Sequence, residues 1–269
     1  MKIFSKIYTA LIFIILYIPI LVLMMFSFNS TSNTGAMTGF SFYWYSELFN
    51  SPETFTALQN TLVLAISAAV ISTVIGTAAA VGLTKFRKNY WKNSVISITN
   101  IPMMNPDIVT GISMMLLFVF IGTMQGSDEK LSFFTILIAH VTFCLPYVIL
   151  SVRPKLLSMP KSLPEAAQDL GCTPLQSFFR VELPNIMPGV ISGFILAFTL
   201  SLDDFVISYF TTGNDFQTLP LLIYSMTKKE VKPDIYALST IMIVAVTTLL
   251  ILSNLFSKEK STEGRLSIK

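Results

Sequence analysis

Three carboxylates stand where a carboxylate is costly. Asp107 lies in the apolar stretch 100–118, and the neighbours Asp203 and Asp204 lie in the stretch 198–213. An ionised acid facing lipid costs on the order of 3 kcal/mol or more, so such groups turn to a watery path or an oppositely charged partner. None of the apolar runs holds a Lys or Arg to pair with them. A mobile cation is a fitting partner, with aromatic faces at Phe143, Tyr147, Phe205 and Tyr209 near in sequence to add cation–π attraction. Asp107 sits beside Pro102 and Pro106, which break regular helix, so it is equally suited to cap a half-helix after Pro106. Asp203 and Asp204 would point about 100° apart on a helix. One is expected to face the path and the other an adjacent helix or a partner subunit.

The remaining reactive side chains suggest no catalysis. His140 is the single histidine, near the middle of an apolar run, and is read as bonding to a neighbouring helix rather than relaying protons. Cys144 and Cys172 form no framework and no metal set. Thirteen methionines read as packing filler. Arg153 is expected to snorkel to an interface.

The elements that must position these residues are membrane helices. Of 269 residues, 53% are hydrophobic and 12% charged, about half the charge of a soluble domain, and the mean hydropathy is +0.68. Long apolar runs alternate with short polar stretches, and a bilayer core about 30 Å thick takes about 20 apolar residues per helix. Six spans are expected, at about 7–28, 58–84, 95–121, 131–152, 186–211 and 235–257. The first follows Lys2 and Lys6 like a signal peptide, but it is too long and lacks a small-residue cleavage site, so it is read as retained. Small residues crowd the second, including Ala65, Ala68, Ala69, Gly76 and Ala80, which predicts a central place in the bundle.

Fourteen of the eighteen Lys and Arg residues fall at the two termini and in the second and fourth loops. The other side has Lys130, Lys228, Lys229 and Lys232. Both termini are therefore expected in the cytoplasm. The outer loop 29–57 has no Lys or Arg but carries Phe40, Phe42, Tyr43, Trp44 and Tyr45, an interfacial mix. Its Asn29-Ser30-Thr31 fits a glycosylation pattern that carries little weight here. The loop 212–234 is long and partly apolar, as if to fold back over a channel mouth.

The fourth loop, "RPKLLSMPKSLPEAAQDLGCTPLQSFFRVELPNIMPG", is the most specific. Pro164 suits a helix's first turn, and Glu165 to Asp169 continue a short helix. Gly171 can take the positive φ of a helix end, and Thr173-Pro174 start a second short helix through Arg180. Glu-Ala-Ala, three residues, Gly, nine residues, Val, one residue, Leu-Pro resembles the signature loop of type I ABC importer permeases, with Val181 in place of the usual Ile. The resemblance implies an all-α integral membrane fold of six transmembrane helices with a cytoplasmic coupling-helix loop. It further implies that Glu165, Ala166, Ala167, Asp169 and Gly171 dock on a cytosolic ATPase.

Three stretches narrow it. "NIPMMNPDIVTGISMMLLF" (100–118), "AHVTFCLPYV" (139–148) and "FTLSLDDFVISYFTTG" (198–213) resemble the second permease subunit of spermidine/putrescine importers. That implies a polyamine pathway, for which Asp107, Asp203, Asp204, Tyr147 and Tyr209 are the candidates. No G-x-x-x-x-G-K-[ST] sequence occurs, so ATP and Mg belong to partner subunits and no cofactor is expected in this chain. The expected partners are a homologous second permease, two ATP-binding cassette ATPase subunits, an extracytoplasmic polyamine-binding protein and membrane lipid, with no nucleic acid. The organisation is a first helix and outer loop (1–56), a transmembrane domain (57–254) with a coupling loop at 153–184, and a cytoplasmic tail (255–269), all in a bacterial inner membrane. Two alternatives stand beside it: an ABC permease for another small organic cation, and a secondary transporter. The latter would show more spans and inverted repeats.

Overall fold

A computed structural model describes residues 2–31, 36–85, 89–126, 131–160, 162–213, 216–228, 234–248 and 251. The tail 255–269, the end of the sixth expected span, and several basic residues used for orientation, among them Arg87, Lys88, Lys130 and Lys161, lie outside the described residues. Among those described the chain is helix and loop, apart from one isolated bridge between Asn29 and Phe40.

The helices are α1 (Lys2–Phe26), α2 (Tyr43–Asn50), α3 (Pro52–Lys85), α4 (Asn89–Met104), α5 (Asp107–Met124), α6 (Phe133–Ser158), α7 (Ser162–Asp169), α8 (Pro174–Ser177), α9 (Leu183–Asp203), α10 (Val206–Thr211), α11 (Leu219–Thr227) and α12 (Asp234–Thr248). Five helical stretches are long and apolar enough to cross a membrane: Lys6–Phe26, Pro52–Thr84, Asp107–Met124, Phe133–Ser158 and Pro174–Asp203. The sixth expected span is represented by the shorter α12.

Two expected spans are not single helices. The stretch 95–121 breaks between α4 and α5 because Pro106, at φ −58° and ψ 135°, is extended and has no N–H to continue the ladder. The stretch 186–211 breaks at Asp204, whose ψ of 122° is extended, so α10 starts afresh. In the opposite sense, the second short helix of the fourth loop does not stop at Arg180. A π-helical turn at Phe178–Glu182 joins α8 to α9 without a gap.

The chain divides into two compact units, residues 1–57 with 222–250 and residues 58–221 with 251–269. In the first, the side chain of Asn29 is 1% exposed and ties a loop together. Its Nδ2 donates to the Ala36 carbonyl at 3.0 Å, and its Oδ1 accepts from the Thr38 N–H at 2.9 Å. Trp44 Nε1 donates to the Asn29 carbonyl at 2.8 Å. Phe28, Phe40, Phe42 and Tyr45 cluster beside it, with ring centroids 5.2–6.1 Å apart. Asn29 is thus a structural residue, and a buried amide bonded at both ends is no sugar acceptor.

In the second unit α6 is clasped between α3 and α9. A Cβ on Gly76 of α3 would meet Val148 Cγ1 at 2.7 Å, and one on Gly193 of α9 would meet the same atom at 3.3 Å. Bare glycines let both helices close on one valine. Ala65, Ala68, Ala69 and Ala80 of α3 are fully buried, in keeping with the central place read from its small residues. The segment after α10 folds back on α3: Asn60 Nδ2 donates to the Gln217 carbonyl at 3.0 Å, and the Leu219 N–H donates to Thr61 Oγ1 at 2.7 Å.

Candidate functional site

The elbow between α6 and α9 is built by local chemistry. The Cys172 N–H donates to the Ala167 carbonyl at 3.0 Å and the Gly171 N–H to the Gln168 carbonyl at 2.9 Å. Together they form a Schellman ending around Gly171, whose φ is +91°. Thr173 then caps α8: Gln176 N–H donates to Thr173 Oγ1 at 3.3 Å, and Thr173 N–H donates to Gln176 Oε1 at 3.0 Å. Ala167 is buried, whereas Glu165, Ala166, Asp169 and Gly171 are exposed. Beside them Leu170, Leu175 and Phe179 also stand open, Leu170 at 88%. An acidic edge next to bare apolar side chains, on a rigid double turn, is a surface shaped to be covered.

The acids sit at helix breaks. Asp107 occupies the first turn of α5, where it is exposed, and Pro106 holds the N-cap position. Asp203 ends α9 and is exposed; Asp204, one residue on, turns inward, its side chain 8% exposed. The Asp204 carboxylate accepts from the backbone N–H groups of Ser208 at 2.9 Å and Ile207 at 3.4 Å, the donors that the break would leave open. Asp107 is within electrostatic reach of both Asp204 and Tyr147, so the two breaks share one neighbourhood. The close packing of α10 on α5 has the same effect, since a Cβ on Gly111 would meet the Phe210 ring at 2.9 Å.

Aromatic rings line this region in pairs. Phe143 and Tyr147 of α6 meet edge to face at 5.6 Å, and Phe205 and Tyr209 lie 5.6 Å apart. Tyr209 is about half exposed. A cavity of ≈ 270 Å³ opens beside the α4–α5 break, with Asn105, Thr110, Ser113, Met114, Thr142 and Phe143 among its walls. The hydroxyls of Ser113 and Thr142 donate to carbonyls of their own helices, at 2.7 and 2.8 Å. Each therefore offers lone pairs to a ligand that donates N–H groups.

Sequence reasoning did not reach the partners of His140. Its Nδ1 lies 2.7 Å from Ser201 Oγ and its Nε2 3.0 Å from Ser208 Oγ, all three buried. Ser201 and Ser208 stand on either side of the break at Asp204, in α9 and α10, and their seven-residue spacing was the available signal. Among the described residues no cluster of three or more His, Cys, Asp or Glu side chains could hold a metal.

Comparison with known proteins gives the family and the fold. Residues 72–258 match the family model described as "Binding-protein-dependent transport system inner membrane component". The putrescine transport system permease protein PotI of Escherichia coli K12 is 42% identical over 234 residues, covering 87% of this chain and 83% of its own length. The spermidine/putrescine transport system permease protein PotC of the same organism is 39% identical over 258 residues, covering 96% and 95%. Among solved structures, a bacterial ABC transporter involved in alginate import superposes with a TM-score of 0.74 at 15% identity, over 97% of this chain and 95% of that one. The methionine ABC transporter MetNI gives 0.62 at 17%, over 78% and 98%. The fold is thus the all-α, multi-span permease fold typical of ABC importers, and the chain belongs to the binding-protein-dependent transport system inner membrane components.

Proposed function

We propose that this chain is one of two channel-forming permease subunits of an ATP-driven polyamine importer, taking spermidine or putrescine across a bacterial inner membrane. The observation that carries the proposal is likeness along nearly the whole chain, at 39% identity, to a permease named for spermidine and putrescine, alongside 42% to one named for putrescine. The chemistry agrees. Asp107 and Asp203, both exposed at helix breaks, offer charges to ammonium groups, and Tyr147 and Tyr209 offer ring faces. Asp204 belongs to the same acidic corner.

The chain itself is non-catalytic. Glu165, Ala166, Ala167, Asp169 and Gly171 form the elbow that docks on one of two ATPase subunits, where ATP and Mg reside. A homologous permease completes the channel, and an extracytoplasmic binding protein delivers the cargo. Helix α12 is the described part of the sixth crossing expected at 235–257, and the Lys and Arg distribution puts both termini in the cytoplasm. ATPase closure pushes on the elbow, α8 and α9 carry the push to the acidic corner, and the corner changes the side from which cargo reaches it.

The test is uptake by proteoliposomes carrying the full complex, against a panel of spermidine, putrescine and unrelated organic cations. ATP-dependent accumulation of a polyamine is expected. Turnover of another cation with no polyamine accumulation would overturn the cargo assignment.

A further inference from the structure

We propose that His140 is a positioning residue that locks the corner between α9 and α10, commits Asp204 to that corner and leaves Asp203 as the acid that meets cationic cargo. The proposal rests on the polyamine reading for the identity of the cargo alone; the corner itself is a matter of geometry.

A break inside a membrane span frees backbone groups that no water is present to satisfy. One imidazole on α6 gathers both sides of this break. It touches Ser201 one turn before it, Asp204 at it, with Nε2 to Oδ2 at 3.5 Å, and Ser208 one turn after it. Proton accounting gives the roles. Ser208 Oγ donates its proton to the Asp204 carbonyl at 3.2 Å, so it accepts from the imidazole N–H at Nε2. That N–H also faces Asp204 Oδ2. Nδ1 then accepts from the Ser201 hydroxyl, and a neutral ring satisfies every partner. The neutral ring thus presents one donor and one acceptor on a single rigid plane.

Neighbouring turns of α6 reinforce the clamp. Thr135 Oγ1 donates to the Thr211 carbonyl at 3.0 Å beyond the break, and Cys144 Sγ to the Ala197 carbonyl at 3.5 Å before it. With Asp204 bonded to the Ser208 and Ile207 N–H groups and facing His140, its oxygens are engaged inward. Asp203, on the other side of the turn, is exposed and has no such engagement in the clamp.

The test is a labelling and uptake series in the assembled complex, on a Cys172→Ser background. Asp203→Cys reports the corner through its rate of reaction with a cationic thiosulfonate, a readout that needs no polyamine. His140→Gln keeps a donor near the Nε2 position; His140→Asn keeps a partner for Ser201 but withdraws from Asp204 and Ser208. The expected result is a labelling rate changed severalfold by His140→Asn and restored by His140→Gln. With Asp203 intact, uptake per ATP should fall severalfold in His140→Asn, the scale of one lost neutral hydrogen bond, and recover in His140→Gln. Equal labelling in all three, or a Gln variant as impaired as the Asn variant, would overturn the proposal. If His140→Asn does not assemble, Ser208→Ala takes its place with the same expectations. Failure of the unmodified complex to take up polyamine would count against the cargo assignment and leave the labelling series to decide the corner.

Discussion

The hydroxyl of Ser177, fully buried, donates to the carbonyl of Pro164 at 3.2 Å and ties the end of α8 to the first turn of α7. The two short helices of the elbow are thereby one body, and a push on either is felt by both. Replacing Ser177 by Ala removes one neutral bond, worth about 1 kcal/mol. The complex should still assemble and hydrolyse ATP, while uptake per ATP falls severalfold. Paired ATPase and uptake measurements check this, and an unchanged ratio would remove the rigid-elbow account.

Gly171 tests the turn itself. Nothing lies within 4 Å of a Cβ built there, so substitution meets no clash and its whole cost is the backbone at φ +91°. That cost is roughly 1–2 kcal/mol for an ordinary residue and smaller for Asn, which bonds locally in this region. Coupled uptake should therefore rank Gly, then Asn, then Ala, then Val. Equal coupling in the Asn and Val variants would show that the turn does not need this conformation.

Packing around Val148 is tight enough to be measured. Gly193→Val or Gly76→Val drives extra methyls into α6, at a cost of about 1–3 kcal/mol. Both should lower the melting temperature of the detergent-solubilised complex. Gly82→Ala is the control, because a Cβ there meets nothing within 4 Å. A melting temperature unmoved by Gly193→Val would contradict the clasp of α3 and α9 on α6.

For the cargo path, Asp203→Asn and Asp107→Asn each remove a charge from an exposed helix break. Spermidine uptake at subsaturating concentration should drop about tenfold in either, as for a lost hydrogen bond to a charged group, and further in the double variant. Assembly and basal ATP hydrolysis should persist. Full uptake by the double variant would remove both acids from the path.

What could be read from the chain alone follows from where the causes lie. The elbow was legible because its causes are local: Gly171 ends one helix, and Thr173 with Pro174 opens the next. The break before Asp107 was legible from Pro106 for the same reason. The break at Asp204 was not, since residues 194–212 contain no Gly or Pro. The side chain that bridges it is His140, 61 and 68 residues distant from the serines it holds. Two adjacent acids in an apolar run suggested a division of labour but not its direction; only burial told Asp203 from Asp204. The Asn29-Ser30-Thr31 pattern carried little weight in the sequence, and its asparagine belongs to a folded knot.

From Pro174 to Asp203 the backbone is helical for 30 residues, about 45 Å of continuous rise. Its length therefore acts as a ruler. Adding or deleting one residue within α9 would shift the far end by about 1.5 Å and swing it through about 100°. Asp203 would then point away from its present direction while the elbow stayed in place. The count between Gly171 and Asp203 is thus a fixed phase, and chains that share this machinery should differ there by substitution rather than by insertion.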